Sequence, residues 1–389
     1  MENKKMIDKI VWWIPFKSLR NHLREYLYSI LEKENLHIDS INKNKEDLDI
    51  IKNNTDIKKN KNGVTIWSHA FYNIYQYSID NPDEFNLKLC NFKKNLDPDS
   101  IEIVNIWIKQ LKCLVNNKVK IPLDFYIDHA INFLSDEQKI VESNKDIIIS
   151  NIEERYFSKY NEINIPFSLH IFYYECGIVY LPSYIKNDLK NGVIIDCGAW
   201  IGDSALMFVE ENYCKYVYSF EPIKKIFNEL NNNVNNLKLD NKIKTFNIAL
   251  SDKKNTNYMF EKGGGSFIID SNILNIESYE KIESIDLDSF LVDINNNEDI
   301  KLIKVDVEGF EENVLIGAIN TIKKYKPVLI ISCYHDYIFP NGFCQMFRIK
   351  EYIENLNLGY KILFRGLEPN STLEYNLICY IPEQNRTEQ

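Results

Sequence analysis

Residues 193–222 read VIIDCGAWIGDSALMFVEENYCKYVYSFEP. Val193–Ile195 is a short β-branched run, which suits a strand buried on both faces. It runs into Asp196-Cys197-Gly198-Ala199-Trp200-Ile201-Gly202-Asp203, where Gly198 and Gly202 permit a tight turn and close approach of the backbone to a ligand. Ser204–Glu210 reads as a helix that Asp203 or Ser204 can cap. A second strand, Tyr216–Phe220, ends in Glu221-Pro222, and Glu221 stands nineteen residues after Gly202. Strand, glycine turn, helix, strand and terminal acid make half of a nucleotide-binding α/β unit, with the acid placed for a ribose diol.

The glycine spacing narrows the nucleotide. A dinucleotide loop needs G-x-G-x-x-G so that a pyrophosphate can sit on the helix N-terminus. This loop is G-x-x-x-G and follows Asp196. A carboxylate at that point repels a pyrophosphate and favours a cationic ligand, such as a sulfonium with its ammonium group. The spacing and Asp196 thus favour S-adenosylmethionine over NAD; the loop alone is also an ordinary βα turn, and Glu221 favours a ligand site.

The 389 residues suffice for two domains, and a hydrophobic fraction of 45% supports a sizeable core. A net charge of −10 argues against broad binding to nucleic acid or to an anionic membrane surface. No run of eighteen apolar residues predicts a spanning helix. The apolar part of MENKKMIDKIVWWIPF is too short for a secretory signal and no small-residue cleavage site follows. Eight cysteines lie scattered with no C-x-x-C pair, as expected of reduced thiols in a cytoplasmic protein.

Composition divides the chain into three. Residues 1–62 hold a basic, aromatic helix, a stretch with irregular helical spacing that leaves a coiled-coil homodimer open, and a polar linker over Lys52–Gly63. Residues 63–185 read as a helical domain, with helices over Ser68–Ser78, Ser100–Asn116, Leu123–Leu134 and Asp136–Phe157 punctuated by proline. His69, His129 and His170 have no partner at metal or triad spacing and read as surface or satisfied core residues. The aromatic run 165–185 leads into the sheet and suits one wall of a pocket.

Residues 186–389 alternate strand and helix. Further strands are expected at Ile243–Ala249, Tyr258–Phe260, Leu302–Val305, Pro327–Cys333, Tyr360–Phe364 and Tyr375–Ile381, with a strand and cap before a short helix over Ile285–Phe290 and helices at Ile223–Leu237, Val314–Tyr325 and Arg348–Leu356. Gly263-Gly264-Gly265-Ser266 reads as a mobile loop. The last two strands suit a hairpin, giving a seven-stranded α/β sandwich whose ligands lie at the carboxyl ends of the strands. Asp196, Glu221, Asp306 and His335 all fall at that edge. Glu308 and Glu311 are also ordinary acids for a helix N-terminus.

Residues 193–382 resemble the FkbM family of S-adenosylmethionine-dependent methyltransferases. The resemblance rests on IIDCGAWIGDSAL, SFEP, NIALSD, SIDLDSF, IKVDVEGFEENVLIGA and the pair His335-Asp336, in that order. It implies a class I methyltransferase fold, Rossmann-like with the last strand antiparallel, and mostly O-methylation of sugars or natural products. It implies that the loop from Asp196 through Gly198, Ala199, Trp200, Gly202, Asp203 and Ser204 holds the methionine part of the cofactor. It places Glu221 and Pro222 at the ribose and Asn247–Asp252, with Ala249, beside the adenine. Asp306, Glu308 and His335 then face the reacting hydroxyl. Trp200 stands where the family often has Asn.

Methyl transfer to a hydroxyl needs alignment of oxygen, carbon and sulfur, and a base. His335 is the expected base, with Asp306 orienting it or sharing the role. The same His335, Asp306 and Glu308 could instead hold a divalent metal, a reading set below the base cluster. A nucleotide-activated sugar such as a GDP-heptose of bacterial capsule synthesis is the expected acceptor, held by Gly265, Ser266, His335, Asp336 and Arg348. Lys301, Lys304, Arg348 and Arg365 are candidate diphosphate partners. A capsule-assembly scaffold, a methyltransferase of a non-sugar natural product and an NAD-dependent sugar oxidoreductase are the competing readings; the last lacks its phosphate-cradling loop.

Overall fold

The computed structural model describes residues 74, 77–116, 134–160, 162–262, 265–269, 280–335, 344–368 and 374–385. The chain divides between Asn62 and Gly63, and all of the described residues belong to the second unit. The basic helix, coiled coil and linker expected before residue 63 lie outside the described residues, as do the helices expected at Ser68–Ser78 and Leu123–Leu134 almost entirely.

Seven strands form the central sheet in the order β10-β11-β9-β8-β1-β2-β3. They are β1 (Val193–Cys197), β2 (Tyr216–Phe220), β3 (Ile243–Phe246), β8 (Ile300–Val305), β9 (Val328–Ser332), β10 (Lys361–Gly366) and β11 (Tyr375–Tyr380). Every pairing is parallel except those of β11, which runs antiparallel to both β9 and β10. The hairpin and the inverted last strand are therefore those of a class I methyltransferase fold.

The β-branched composition of β1, β8 and β9 follows from burial on both faces. Side chains alternate across the sheet. Val193, Ile195, Cys197, Ile303, Val305, Leu329 and Ile331 enter one core, whereas Ile194, Leu302, Val328 and Ile330 enter the other. The first core is closed by α1 (Pro82–Lys93), α2 (Pro98–Asn116), α8 (Leu287–Asp293), α9 (Glu311–Gly317), α10 (Ile319–Tyr325) and α11 (Gln345–Asn355). The second is closed by α4 (Lys145–Phe157), α5 (Ser183–Leu189), α6 (Asp203–Glu210), α7 (Lys224–Asn236) and the segment between Ile165 and Leu181. The result is a three-layer α/β/α sandwich.

α1, α2 and α4 cover the sheet and share its cores. The Phe92 ring lies 5.1 Å from that of Phe347 and 5.3 Å from that of Phe364. Ser100 Oγ accepts from Phe364 N at 2.9 Å, and Arg365 Nη2 lies 3.2 Å from Asp97 Oδ1. The helix expected over Asp136–Phe157 is two, α3 (Asp136–Ser143) and α4, separated at Asn144, whose Nδ2 donates to Ile140 O at 2.7 Å. Ser135 and Gln138 close a capping box at the start of α3.

A second sheet, in the order β4-β7-β5-β6, lies within the same stretch of chain. It holds β4 (Ala249–Ser251), β5 (Asn255–Lys262), β6 (Gly265–Ile269) and β7 (Glu280–Asp286). Two expectations change here. The strand expected at Ile243–Ala249 stops at Phe246, because Asn247 Nδ2 donates to Glu221 O at 3.0 Å and to Pro222 O at 2.8 Å and turns the chain out of the main sheet. Of the expected mobile loop, Gly265 and Ser266 fall instead in β6, which pairs antiparallel with β5 from Lys262↔Gly265 through Tyr258↔Ile269, whereas Gly263 and Gly264 lie outside the described residues. The helix expected over Val314–Tyr325 begins at Glu311 and breaks at Ala318. Gly317 precedes that break because a Cβ there would lie 1.9 Å from Ser251 O; α9 presses directly on β4.

Candidate active site

A cavity of about 620 Å³ opens at the carboxyl ends of β1, β2 and β8. That is the edge where parallel α/β sheets bind ligands, and the volume suits a nucleotide-sized one.

The β1 loop is built on a buried charge cluster. Asp196 is 0% exposed; Ser204 Oγ donates to its Oδ2 at 2.7 Å, and Lys304 Nζ lies 3.2 Å from its Oδ1. Lys304 also donates to Gly198 O at 3.0 Å and lies 3.9 Å from Asp306 Oδ2. One cation thus ties the end of β1 to the end of β8. Burial pushes the Asp196 carboxyl up; burial also disfavours the Lys304 cation, but Asp196 and Asp306 together raise it well above the ordinary lysine range. Gly198 has φ +76°, and a Cβ on it would lie 1.8 Å from Asp306 O, so only glycine lets the two strand ends meet. Trp200, at φ +43° and 40% exposed, stands beside the cavity on the same loop.

At the tip of β2, Glu221 is 6% exposed and accepts from Ile223 N at 2.9 Å, while burial pushes its carboxyl up to about 8. Phe220, Ile223, Ile226, Ala249 and Leu250 form an apolar wall next to it. A carboxylate beside an apolar slot fits a ribose diol carrying a planar base.

At the tip of β8, Asp306 and Glu308 line the cavity and Glu311 lies behind them. Glu308 (φ +56°) and Gly309 (φ +104°) turn the chain so that Val307 N and Gly309 N both donate to Glu311 Oε1, at 3.1 Å and 3.2 Å. The same oxygen meets His335 Nδ1 at 2.7 Å, and Gln345 Nε2 donates to the other. His335 Nε2 lies 3.7 Å from Asp306 Oδ1 and 3.6 Å from Glu308 Oε2. Burial disfavours the imidazolium, but Glu311, Glu308 and Asp306 outweigh it and push His335 up to about 10. For Asp306, burial works upward and is overcome by Lys304 and His335, which hold the carboxyl below its usual range.

The opposite wall comes from Pro166, Ser168, His170 and Ile171, with Tyr334 and Glu374 from the β9 and β11 sides. Ser168 Oγ lies 3.2 Å from His170 Nδ1. Burial pushes the Glu374 carboxyl up.

The family model of the methyltransferase FkbM domain matches residues 196–362. The chain carries an FkbM methyltransferase domain. Among solved structures, the chain is similar to the methyltransferase FkbM from Methylobacillus flagellatus KT, at 17% identity and a TM-score of 0.46, covering 78% of this chain and 60% of that one. The chain thus spans less than two thirds of that protein's length. It is also similar to a putative caffeoyl-CoA O-methyltransferase from Staphylococcus aureus, at 14% identity and a TM-score of 0.37, covering 63% of this chain and 99% of that one. A third is the O-methyltransferase from Bacillus cereus in complex with SAH, at 13% identity and a TM-score of 0.34, covering 59% and 96%. No curated protein matches the chain.

Several residues read from the sequence reach the FkbM domain's cavity: Gly198, Trp200, Asp203, Glu221, Pro222, Ala249, Asp306 and Glu308. Others do not. Asp196, expected at the methionine part, is spent on Ser204 and Lys304; Ser204, Ala199 and Gly202 shape the loop from beneath. His335, expected as the base, is 0% exposed, behind Asp306 and Glu308, and is held as a cation, which has no lone pair with which to take a proton. Arg348 turns to Glu312, with Nε 3.0 Å from Oε2, and does not line the cavity. Of the other expected diphosphate partners, Lys301 pairs with Asp188 and Asp299 and Arg365 with Asp97, away from the cavity, whereas Lys304 lines it while paired with Asp196. Asp336 and the Ser266 side chain lie outside the described residues, and Gly265 falls in β6.

The one metal-like group found among the described residues is Asp306, Glu311 and His335, with one donor atom each within 4.8 Å of the others. It shares Asp306 and His335 with the expected Asp306, Glu308 and His335 set. Glu311 already accepts from Val307 N, Gly309 N and Gln345 Nε2 and meets His335 Nδ1. Sequence reading assigned Glu311 only to a helix terminus, and it passed over His170 and Glu374. The histidine stands in an aromatic run and Glu374 just before a strand, so neither carries a local motif.

Proposed function

We propose that the chain is an S-adenosylmethionine-dependent O-methyltransferase acting on a sugar hydroxyl. The observation that carries this reading is the cavity of the FkbM domain, which has Glu221 and an apolar slot at one end and Asp306 and Glu308 at the other. Glu221 would hold the ribose diol, Ile223, Ile226, Ala249 and Leu250 the adenine, and Gly198, Trp200 and Asp203 the methionine end. When bound, S-adenosylmethionine supplies an electrophilic methyl on a sulfonium, and S-adenosylhomocysteine remains after transfer. Asp306, held ionised, accepts a hydrogen bond from the acceptor and fixes its oxygen for in-line attack. His335 holds Asp306 and Glu308 in place as a buried cation.

The acidic wall favours an acceptor rich in hydroxyl donors. We propose a sugar of bacterial surface polysaccharide synthesis, with a nucleotide-activated sugar such as a GDP-heptose as the first form to test. The inward pairing of Lys301, Lys304, Arg348 and Arg365 sets that form beside a plain glycan. Among the described residues no helix is long and apolar enough to cross a membrane.

Labelled-methyl transfer tests the reading over a panel of nucleotide sugars, unactivated sugars and oligosaccharides, non-sugar natural-product alcohols and RNA. Transfer to a sugar class supports it. Transfer only to non-sugar alcohols or RNA overturns the sugar assignment. Absence of S-adenosylhomocysteine binding by calorimetry in folded protein overturns the enzyme itself and favours a scaffold.

A further inference from the structure

His170 reaches the cavity by an unusual piece of backbone. Leu169–Tyr173 forms a π-turn, closed by Tyr174 N donating to Leu169 O at 2.8 Å. Such turns are rare and recur at functional sites. Leu169 is buried in one small core, and Ile171 and Phe172 are buried in the core on the second face of the sheet. His170, between them, is only half-buried and lines the cavity. Its neighbours thus fix its backbone while its ring meets the ligand space. Ser168 Oγ, 3.2 Å from Nδ1, fixes the ring orientation.

Three carboxyl groups from three different elements line the same cavity as this ring: Asp203 at the start of α6, Asp306 at the tip of β8, and Glu374 before β11. His170 therefore faces the space between the cofactor loop and the acceptor wall. His335, the other described histidine, is excluded from that space. Asp306 is held below the usual carboxylate range and is a poor proton acceptor near neutral pH. Imidazole side chains are the commonest general bases in proteins.

We propose that His170 is the general base of the methyl transfer, taking the proton of the acceptor hydroxyl. This rests on the methyltransferase reading above. The acceptor oxygen forms a bond to the methyl carbon as the carbon–sulfur bond breaks and its electron pair returns to sulfur. The hydroxyl proton passes to His170 and then to solvent.

A base beside the transferred methyl also stands beside the sulfonium, and like charges disfavour each other's charged form. Binding S-adenosylmethionine then lowers the His170 pKa, whereas the neutral thioether of S-adenosylhomocysteine does not. The affinity ratio of the two ligands should rise roughly 3–10-fold as pH goes from 5.5 to 8.5, the equivalent of about half to one pKa unit. Calorimetry with both ligands on the full chain and on His170→Gln measures this. Gln keeps a polar partner for Ser168, and Asp203, Asp306, Glu374, Glu308 and Lys304 remain in both proteins. The expected result is a sloping ratio in the wild type and a flat one in the variant. An equal slope in the variant, or no slope in the wild type, overturns the proposal. Should His170→Gln fail to fold, the nitrogen resonances of labelled His170 in the wild type must titrate at lower pH with the sulfonium ligand than with the thioether. Identical titrations overturn the proposal. If neither ligand binds the wild type, the methyltransferase reading itself fails.

Discussion

Lys304→Met cuts the tie between the two strand ends and leaves its partners charged. The Lys304 side chain is 7% exposed and serves Asp196 at 3.2 Å, Asp306 at 3.9 Å and Gly198 O at 3.0 Å. Met fills a similar volume, so the loss is electrostatic. Removing one partner of a buried pair costs about 3–5 kcal/mol, because an uncompensated charge stays behind. In a folded unit of this size, at about 2 °C per kcal/mol, Tm falls by roughly 6–10 °C. Asp196→Asn in the same chain removes the stranded charge and should recover at least half of the deficit, since the two positions couple directly. The pH dependence has a fixed sign. Burial already raises the folded-state pKa of Asp196 above its unfolded value, and without Lys304 it rises further. A carboxyl shifted upward destabilises the fold increasingly as pH rises, and the penalty fades as pH falls and the proton returns. The deficit of Lys304→Met should therefore be smaller at pH 5 than at pH 8. Urea unfolding of wild type, both single variants and the double variant across that range is the assay. A Lys304→Met deficit under about 1 kcal/mol, or a double variant as unstable as the sum of the singles, would refute the electrostatic account.

Other perturbations probe separate parts of the site. Glu221→Gln should weaken S-adenosylhomocysteine roughly 10–100-fold, the loss of hydrogen bonds to a charged acceptor; and because burial places Glu221 at about 8, wild-type affinity should rise between pH 7 and 9 while the variant's stays level. His335 has a folded pKa of about 10 against 6.5 unfolded, so its stabilisation is full below about 6.5 and disappears as pH rises through 10. His335→Gln should flatten the stability profile over that window, and an unchanged profile counts against the buried cation. Gly198→Ala places a Cβ 1.8 Å from Asp306 O at φ +76°, so soluble expression and cofactor binding should both fall sharply. Ser100→Ala leaves Phe364 N and Arg365 without their shared acceptor and should cost about 1–3 kcal/mol in urea unfolding, which tests whether α2 is part of the sheet's own core.

The sheet was legible because its signals are local. Val193–Ile195, Leu302–Val305 and Val328–Ile331 announce buried parallel strands by composition, and a glycine loop followed by a helix and an acid-ended strand sets the handedness of the first unit. What failed depended on distant partners. Asn247 ends β3 early by bonding to Glu221 O and Pro222 O, which are far away in sequence and adjacent only after folding. Gly265 and Ser266 read as part of a loop because β5 and β6 announce themselves only by pairing with each other and, for β5, with β7.

The site shows the same limit in sharper form. A strand-end acid can be located from sequence, but whether it faces ligand or interior depends on what comes to meet it. Asp196 and Asp306 are both strand-end acids, and Lys304 touches both. Asp196 has in addition the Ser204 hydroxyl and 0% exposure, so its charge is consumed in holding the loop; Asp306 keeps 22% of its side chain exposed and presents its charge to the cavity. His335 and His170 divide in the same way. Glu311 draws the first inward and makes it a fixed cation, while Leu169, Ile171 and Phe172 draw their own side chains inward and leave the second at the surface of the cavity. In each pair buried neighbours fix the outer member, Lys304 for Asp306 and Leu169, Ile171 and Phe172 for His170. Chemistry at the acceptor therefore falls to the outer members, Asp306 and His170, and changes to the inner ones should show first in stability and only through it in turnover.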